Sequence, residues 1–168
     1  MPGVVSDSSP LIHLAVLGRV ALLHEFYGQV LVPPAVWREV VEEGQGRAGV
    51  REVEDAARSG WLTVIGPTNE ALLRLLRRDL DDGEAESIAL AVERQADVIL
   101  LDESDARRVA GVYELPKTGV VGLLIRARLE GRLPSLRQEL ARLREQAGFW
   151  IGEELYQQAL EAVGESVK

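Results

Sequence analysis

The stretch "GVVSDSSPLIHLAVLG", residues 3–18, decides how the rest of the chain is read. Its apolar pair Val4-Val5 stops at Ser6-Asp7-Ser8-Ser9-Pro10, and apolar residues then recur at helical spacing through Leu11, Leu14, Ala15 and Leu17. A carboxylate therefore stands where a buried strand turns into a helix. Asp7 is either the cap of that helix or, if other acids converge on the same place, one wall of a metal site.

Working outward, the same strand-to-helix alternation repeats. Gly18 is expected to break the apolar pattern from Pro10 to Phe26 into two helices. "GQVLVPP" (28–34) reads as a second strand stopped by two prolines, and Pro34 fits the first turn of the next helix, where its missing N–H costs nothing. A helix over about 48–59 precedes a strand at Trp61 to Ile65, and "TNEALLRLLRRDL" and "DDGEAESIALAVERQ" are two further amphipathic helices. "ADVILLD" (96–102) is an apolar strand that ends, like the first, in an acid. "ESDARRVAGV" is a helix, Leu115 to Thr118 a short strand, and "GVVGLLIRARLEG" another helix. Ser135-x-x-Gln138 matches a capping box, and helices over about 134–164 are expected to close over the core. Short strands alternating with helices require parallel pairing, so the fold class is α/β, with a central mostly parallel sheet between helical layers in a single domain spanning 1–168.

In open parallel sheets, ligands bind beyond the carboxyl ends of the strands. Asp7 and Asp102 both lie there if their strands are neighbours. Glu39 follows the second strand by about one and a half helical turns and leans over the same edge. Glu84 is in the first turn of its helix, and Glu86 is roughly 200° further round, so both cannot face one point squarely. Each acid has a plain alternative: Asp7 and Asp102 as N-caps, Glu84 as the partner of Asp81 in a capping box, Glu39 as a solvated helix residue. Together, four acids at one sheet mouth would repel unless protonated or metal-bound.

Composition narrows the chemistry. The 168 residues are 46% hydrophobic and 27% charged, the balance of a globular protein, with no cysteine and a net charge of -8. That charge argues against broad, nonspecific nucleic-acid binding but permits a compact site where cations offset clustered acids. No apolar run approaches the roughly 18 residues of a membrane span, no secretory signal is expected, and the lack of cysteine fits the expectation of a cytoplasmic protein. Of the 19 basic residues only Lys117 and Lys168 are lysines. His13 and His24, alone on apolar helix faces, read as core or boundary residues rather than ligands. Without cysteine, zinc is disfavoured, and an all-oxygen donor set favours Mg²⁺ or Mn²⁺. No phosphate loop and no serine nucleophile elbow is present.

Four motifs resemble a known family. Asp7 to Ile12 (D-S-S-P-L-I), Val32 to Glu39 (V-P-P-A-V-W-R-E), Gly83 to Ala91 (G-E-A-E-S-I-A-L-A) and Leu100 to Ala110 (L-L-D-E-S-D-A-R-R-V-A) resemble the PIN domains, the nuclease fold of VapC-type toxins, and within them a prokaryotic PIN-like branch. The resemblance covers nearly the whole chain. It implies a three-layer α/β/α fold and metal-dependent hydrolysis of RNA phosphodiester bonds. It carries the family's acids onto Asp7, Glu39, Glu84 and Asp102, with Glu86 as the alternative metal ligand at the third position, Glu103 and Asp105 as near alternatives at the fourth, and Ser9 as the polar residue steadying the first acid. Arg107 and Arg108, just past Asp102, are candidates to contact the scissile strand. Glutamate stands at the third position, where aspartate is usual. The implied partners are an RNA substrate and an antitoxin protein; separately, the surplus of leucine-rich amphipathic helices, including "LLRLLRRDL" and "LLIRARLEG", predicts a homodimer that buries an apolar helical face away from the acids. Two other classes compete: a binding module that kept the fold and lost the chemistry, and a receiver-like phospho-switch. The latter would want paired acids after the first strand, where Asp7 stands alone.

Overall fold

The computed structural model describes residues 3–165. Five short strands, β1 (Val4–Ser6), β2 (Val30–Val32), β3 (Leu62–Val64), β4 (Val98–Leu100) and β5 (Lys117–Thr118), form one sheet in the order β3-β2-β1-β4-β5. Every pairing is parallel, with Val5 opposite Leu31 on one side and Ile99 on the other. The expected "mostly parallel" sheet is thus wholly parallel. Its order reverses between β1 and β4, since β2 and β3 lie on one side of β1 while β4 and β5 lie on the other. That reversal is the topological switch point at which such sheets open a crevice.

Ten helices among the described residues cover both faces. They are α1 (Ser8–Leu17), α2 (Ala21–Tyr27), α3 (Pro34–Trp37), α4 (Val50–Ser59), α5 (Glu70–Leu76), α6 (Asp82–Arg94), α7 (Ser104–Val112), α8 (Val120–Leu129), α9 (Leu136–Ala147) and α10 (Glu153–Ala162). The alternation of side chains along the strands sorts them into layers. Val4 and Leu100 point into a core shared with α1, α2, α4, α8, α9 and α10. Val5, Ile99 and Leu101 point into a second core with α5, α6 and α7. The result is the three-layer α/β/α arrangement.

Local chemistry explains several boundaries. Gly18, in the left-handed region at φ 69°, ends α1, and Pro34 opens α3. The helix begun at Pro34 widens into a π-helical turn over Arg38–Glu42, which carries Glu39. Gly49, at φ 81°, lies against the backbone of α1, and a Cβ there would meet the Ala15 carbonyl oxygen at 2.2 Å. Only glycine permits that approach. The leucine-rich helices proposed for a dimer face turn Leu73, Leu76, Leu123 and Leu124 into this chain's own cores, leaving Leu75 and Leu129 exposed.

A buried ion cluster ties α9 to the end of α1. Glu139 accepts from Arg19 Nε at 2.6 Å and from Arg142 Nη1 at 2.9 Å, while Arg142 Nη2 also donates to the Leu17 carbonyl at 3.2 Å. Glu139→Ala is expected to lower unfolding stability by about 1–3 kcal/mol. That is less than the ~3–5 kcal/mol of a fully buried pair, because the arginine side chains are 29% and 39% exposed and can turn to water. An unchanged urea midpoint would contradict this role.

Candidate active site at the carboxyl edge of the sheet

β1 and β4 are adjacent and in register, with Ser6 opposite Leu100, so Asp7 and Asp102 both emerge at the switch point. The Asp7 amide still donates to the Leu100 carbonyl at 3.0 Å, which carries the sheet's geometry into the turn. Asp7 occupies the N-cap position of α1, yet its side chain makes no capping hydrogen bond. The plain explanation of this residue therefore fails.

What surrounds Asp7 is unusual for a carboxylate that is 3% exposed. Ser87 Oγ stands 3.5 Å from its Oδ1, but that hydroxyl has a better acceptor in the Gly83 carbonyl at 2.7 Å. The neighbouring Ser8 Oγ is buried without a partner among the described residues. Gly83 closes the group: a Cβ there would touch Asp7 Oδ1 at 3.4 Å, Ser8 Oγ at 3.5 Å and Asp81 Oδ1 at 3.6 Å. Burial pushes the Asp7 carboxyl up to about 7; the Ser8 amide opposes this, and the charges of Glu84, Asp81 and Glu39 push the same way. A buried, under-bonded carboxylate among other acids lacks a positive charge.

The structure distinguishes the two glutamates of α6. Asp81 and Glu84 form a reciprocal capping box, with the Glu84 amide donating to Asp81 Oδ1 at 2.8 Å and the Asp81 amide donating to Glu84 Oε1 at 3.2 Å. Glu84 still belongs to the acid group. Burial raises its carboxyl, the Asp81 amide opposes that, and the charges of Asp81, Glu103 and Asp105 raise it further. Glu86 faces elsewhere: its Oε1 accepts the Ala35 amide at the start of α3 at 3.1 Å, and its Oε2 lies 3.6 Å from Arg77. Glu39 and Glu103 are exposed at the rim. Ser9 lies in the first turn of α1, and the hydroxyl that approaches Asp7 comes from Ser87.

Asp102 lies on the other side of the crevice with both oxygens engaged. Oδ1 accepts the Val120 amide at the start of α8 at 2.8 Å, and Oδ2 pairs with His13 Nδ1 at 2.8 Å. It therefore caps α8, which begins 18 residues later, rather than α7, which follows it. His13 in turn meets Phe149 edge-on, with ring centroids 4.9 Å apart. His13 is thus the satisfied, half-buried boundary residue that was expected, and what the expectation lacked was its partner. The only signal available was a histidine six residues past Asp7, because its partner is 89 residues away. Arg107 donates to the Leu101 carbonyl at 2.8 Å and lines a cleft beside Asp102, whereas Arg108 pairs with Asp105 on the exposed side of α7.

Among the described residues, no three Asp, Glu or His side chains form a ready-made metal cage. The donor set nonetheless fits a hard divalent cation. Mg²⁺ takes one or two carboxylates and completes its shell with water and substrate phosphate. The Ser8 hydroxyl, without a partner among the described residues, and the raised Asp7 carboxyl lie together against Gly83 at this edge.

Comparison with known proteins adds one positive finding. The DUF3368 family model, described as a PIN domain, matches residues 3–165. No curated protein matches the chain.

Proposed function

The chain belongs to the PIN-domain family, and from that premise we propose that it is a Mg²⁺- or Mn²⁺-dependent endoribonuclease. PIN domains are generally metal-dependent nucleases, and the finer reading rests on this chain's own residues. One observation carries it: the buried Asp7 carboxyl, uncapped and pushed up to about 7 beside Glu84 and Glu39 at the switch point.

In this reading Asp7 and Glu84 hold the ion, with Glu39 and Glu103 adding negative charge at the rim. The bound ion supplies activation of the attacking water and stabilisation of the charge that develops on the phosphodiester. Hydrolysis joins the water oxygen to phosphorus and breaks one P–O ester bond, the strand end leaving as a protonated hydroxyl. Asp102 is held in one orientation by the Val120 amide and His13, and each of its oxygens keeps a second lone pair for the reacting centre. Glu86 supports the start of α3 and stands outside this set. RNA is the proposed substrate, a small antitoxin protein the proposed inhibitor, a second copy of the chain the proposed partner, and the cytoplasm the proposed location. Among the described residues, no helix is long and apolar enough to cross a membrane.

A second reading, a PIN-like binding module without chemistry, draws on the fact that both Asp102 oxygens are already occupied within the protein. Mn²⁺ titration followed by thermal melting, next to cleavage of a mixed RNA pool, separates the two. Saturating metal at about 100 times its Kd should add about 2.7 kcal/mol, or roughly 5–10 °C, and cleavage should require the metal. Stabilisation without cleavage supports the binding module. Neither effect would remove the metal-site reading.

A further inference from the structure

Resting on the ribonuclease reading, we propose that the cleft beside Asp102 is a stacking subsite for an unpaired nucleotide of single-stranded RNA, with Trp150 as the base platform and Lys117 and Arg107 as phosphate contacts. The cleft holds about 510 Å³ and runs from Asp102 past Arg107 and Lys117 to Phe149 and Trp150. Its far end is built by the connection between α9 and α10. There Phe149 is half-buried against His13, and Ile151 is buried in the core. Trp150 stands between these two anchors and is 83% exposed, with its ring lying over Gly152 at the cleft. Its backbone is anchored by two inserted neighbours, and its indole offers a flat apolar surface to solvent at the cleft. Stacking a base on it removes that surface from water.

Charge selects the occupant. The chain carries a net charge of -8, yet neither Lys117 nor Arg107 has a carboxylate within ion-pair distance among the described residues. Arg107 uses one nitrogen on the Leu101 carbonyl, which fixes the guanidinium at the cleft wall and leaves other N–H groups to donate. Two cations and an exposed aromatic face, next to an acid at the proposed reaction centre, match a phosphate–base repeat. A duplex keeps its bases stacked inside and offers no face to Trp150. The connection from Asp102 through His13 to Phe149 also couples the platform to the acid edge, so a base bound there positions the adjoining phosphate.

The test uses the full chain as Asp7→Asn in EDTA, so that nothing is cleaved, with labelled single-stranded and duplex RNA of equal length. Binding is read by anisotropy and by tryptophan emission; Trp37 and Trp61 are only partly exposed. Single-stranded RNA is expected to bind and quench the emission. Trp150→Ala should weaken binding roughly 5- to 100-fold and abolish the quench, while Trp150→Phe keeps most of the affinity. Lys117→Ala should weaken binding and lower the salt slope by about one. Melting curves of each variant show that the exposed substitutions leave the fold intact. Binding unchanged within twofold in Trp150→Ala, duplex bound as tightly as single strands, or no single-strand binding at all would each overturn the subsite. Metal-dependent cleavage by the wild type with no Trp150 effect on binding sinks the subsite and leaves the nuclease reading standing. Trp150-dependent binding without any wild-type cleavage does the reverse.

Discussion

Asp7→Asn is expected to reduce metal-dependent RNA cleavage by roughly 100-fold or more while making the metal-free protein more stable at pH 8. Asparagine keeps the shape of the side chain, and no capping hydrogen bond is lost, because Asp7 makes none. What disappears is the negative charge that a hard cation requires. The stability change follows from the sign of the shift. The carboxyl is raised from 3.8 to about 7 on folding, so the native state binds the proton more tightly than the unfolded chain. Stability contributed by the protonated form is therefore present below about pH 4 and lost as pH rises through 7. At 1.36 kcal/mol per unit, the ionised group costs at most about 4 kcal/mol at pH 8. Asparagine escapes that cost but carries its own burial penalty, so a gain of about 2–4 kcal/mol in EDTA is expected, shrinking towards pH 4. Mn²⁺ should stabilise the wild type more than the variant. Equal Mn²⁺ stabilisation and equal cleavage, or a stability difference that ignores pH, would show that Asp7 neither holds metal nor carries this shift.

The other large effect is expected at Gly119→Ala, which should cost about 2–4 kcal/mol in stability and lower cleavage by roughly 100-fold. The backbone at Gly119 is extended (φ −121°), so alanine can adopt it, and the penalty comes from contact alone. The new methyl carbon would stand 2.5 Å from Asp102 Oδ1 and 3.0 Å from the Leu101 carbonyl oxygen. That Oδ1 is the atom that accepts the Val120 amide, and its partner oxygen holds His13. Making room turns the carboxylate away from both. Asp102→Ala should make room for the methyl, so the double variant should be more stable than additivity predicts and still inactive. If Gly119→Ala melts and cleaves like the wild type, Asp102 is not held where the reaction needs it.

These two residues show how differently the site could be read in advance. Asp7 was legible because a strand that ends at a carboxylate and leads into a helix can only deliver that carboxylate to the edge of a parallel sheet. Whether it was a cap was not legible, since capping depends on the path of the chain at one turn. The orientation of Glu86 turned on the Ala35 amide, which sits on another helix and donates to Glu86 Oε1. Ser9 is two residues from Asp7 in the chain, while Ser87, 80 residues away, is the hydroxyl that approaches it.

Local patterns by themselves determined most of the elements, their parallel pairing and the layered α/β class. Apolar alternation, Gly18, Pro34 and the Asp81–Glu84 box act within a few residues, and burying apolar strands on both faces leaves one architecture. Tertiary structure alone decided which polar atoms are satisfied. Asp102 met the Val120 amide and His13, Glu86 met Ala35, and Asp7 met only the amide of its neighbour Ser8 and, at 3.5 Å, Ser87 Oγ. Hydrogen bonds are short and directional, so their partners depend on where distant segments come to rest within a few tenths of an ångström. Hydrophobic burial tolerates far looser placement, and for that reason the fold could be read from the chain while the wiring of its acids could not.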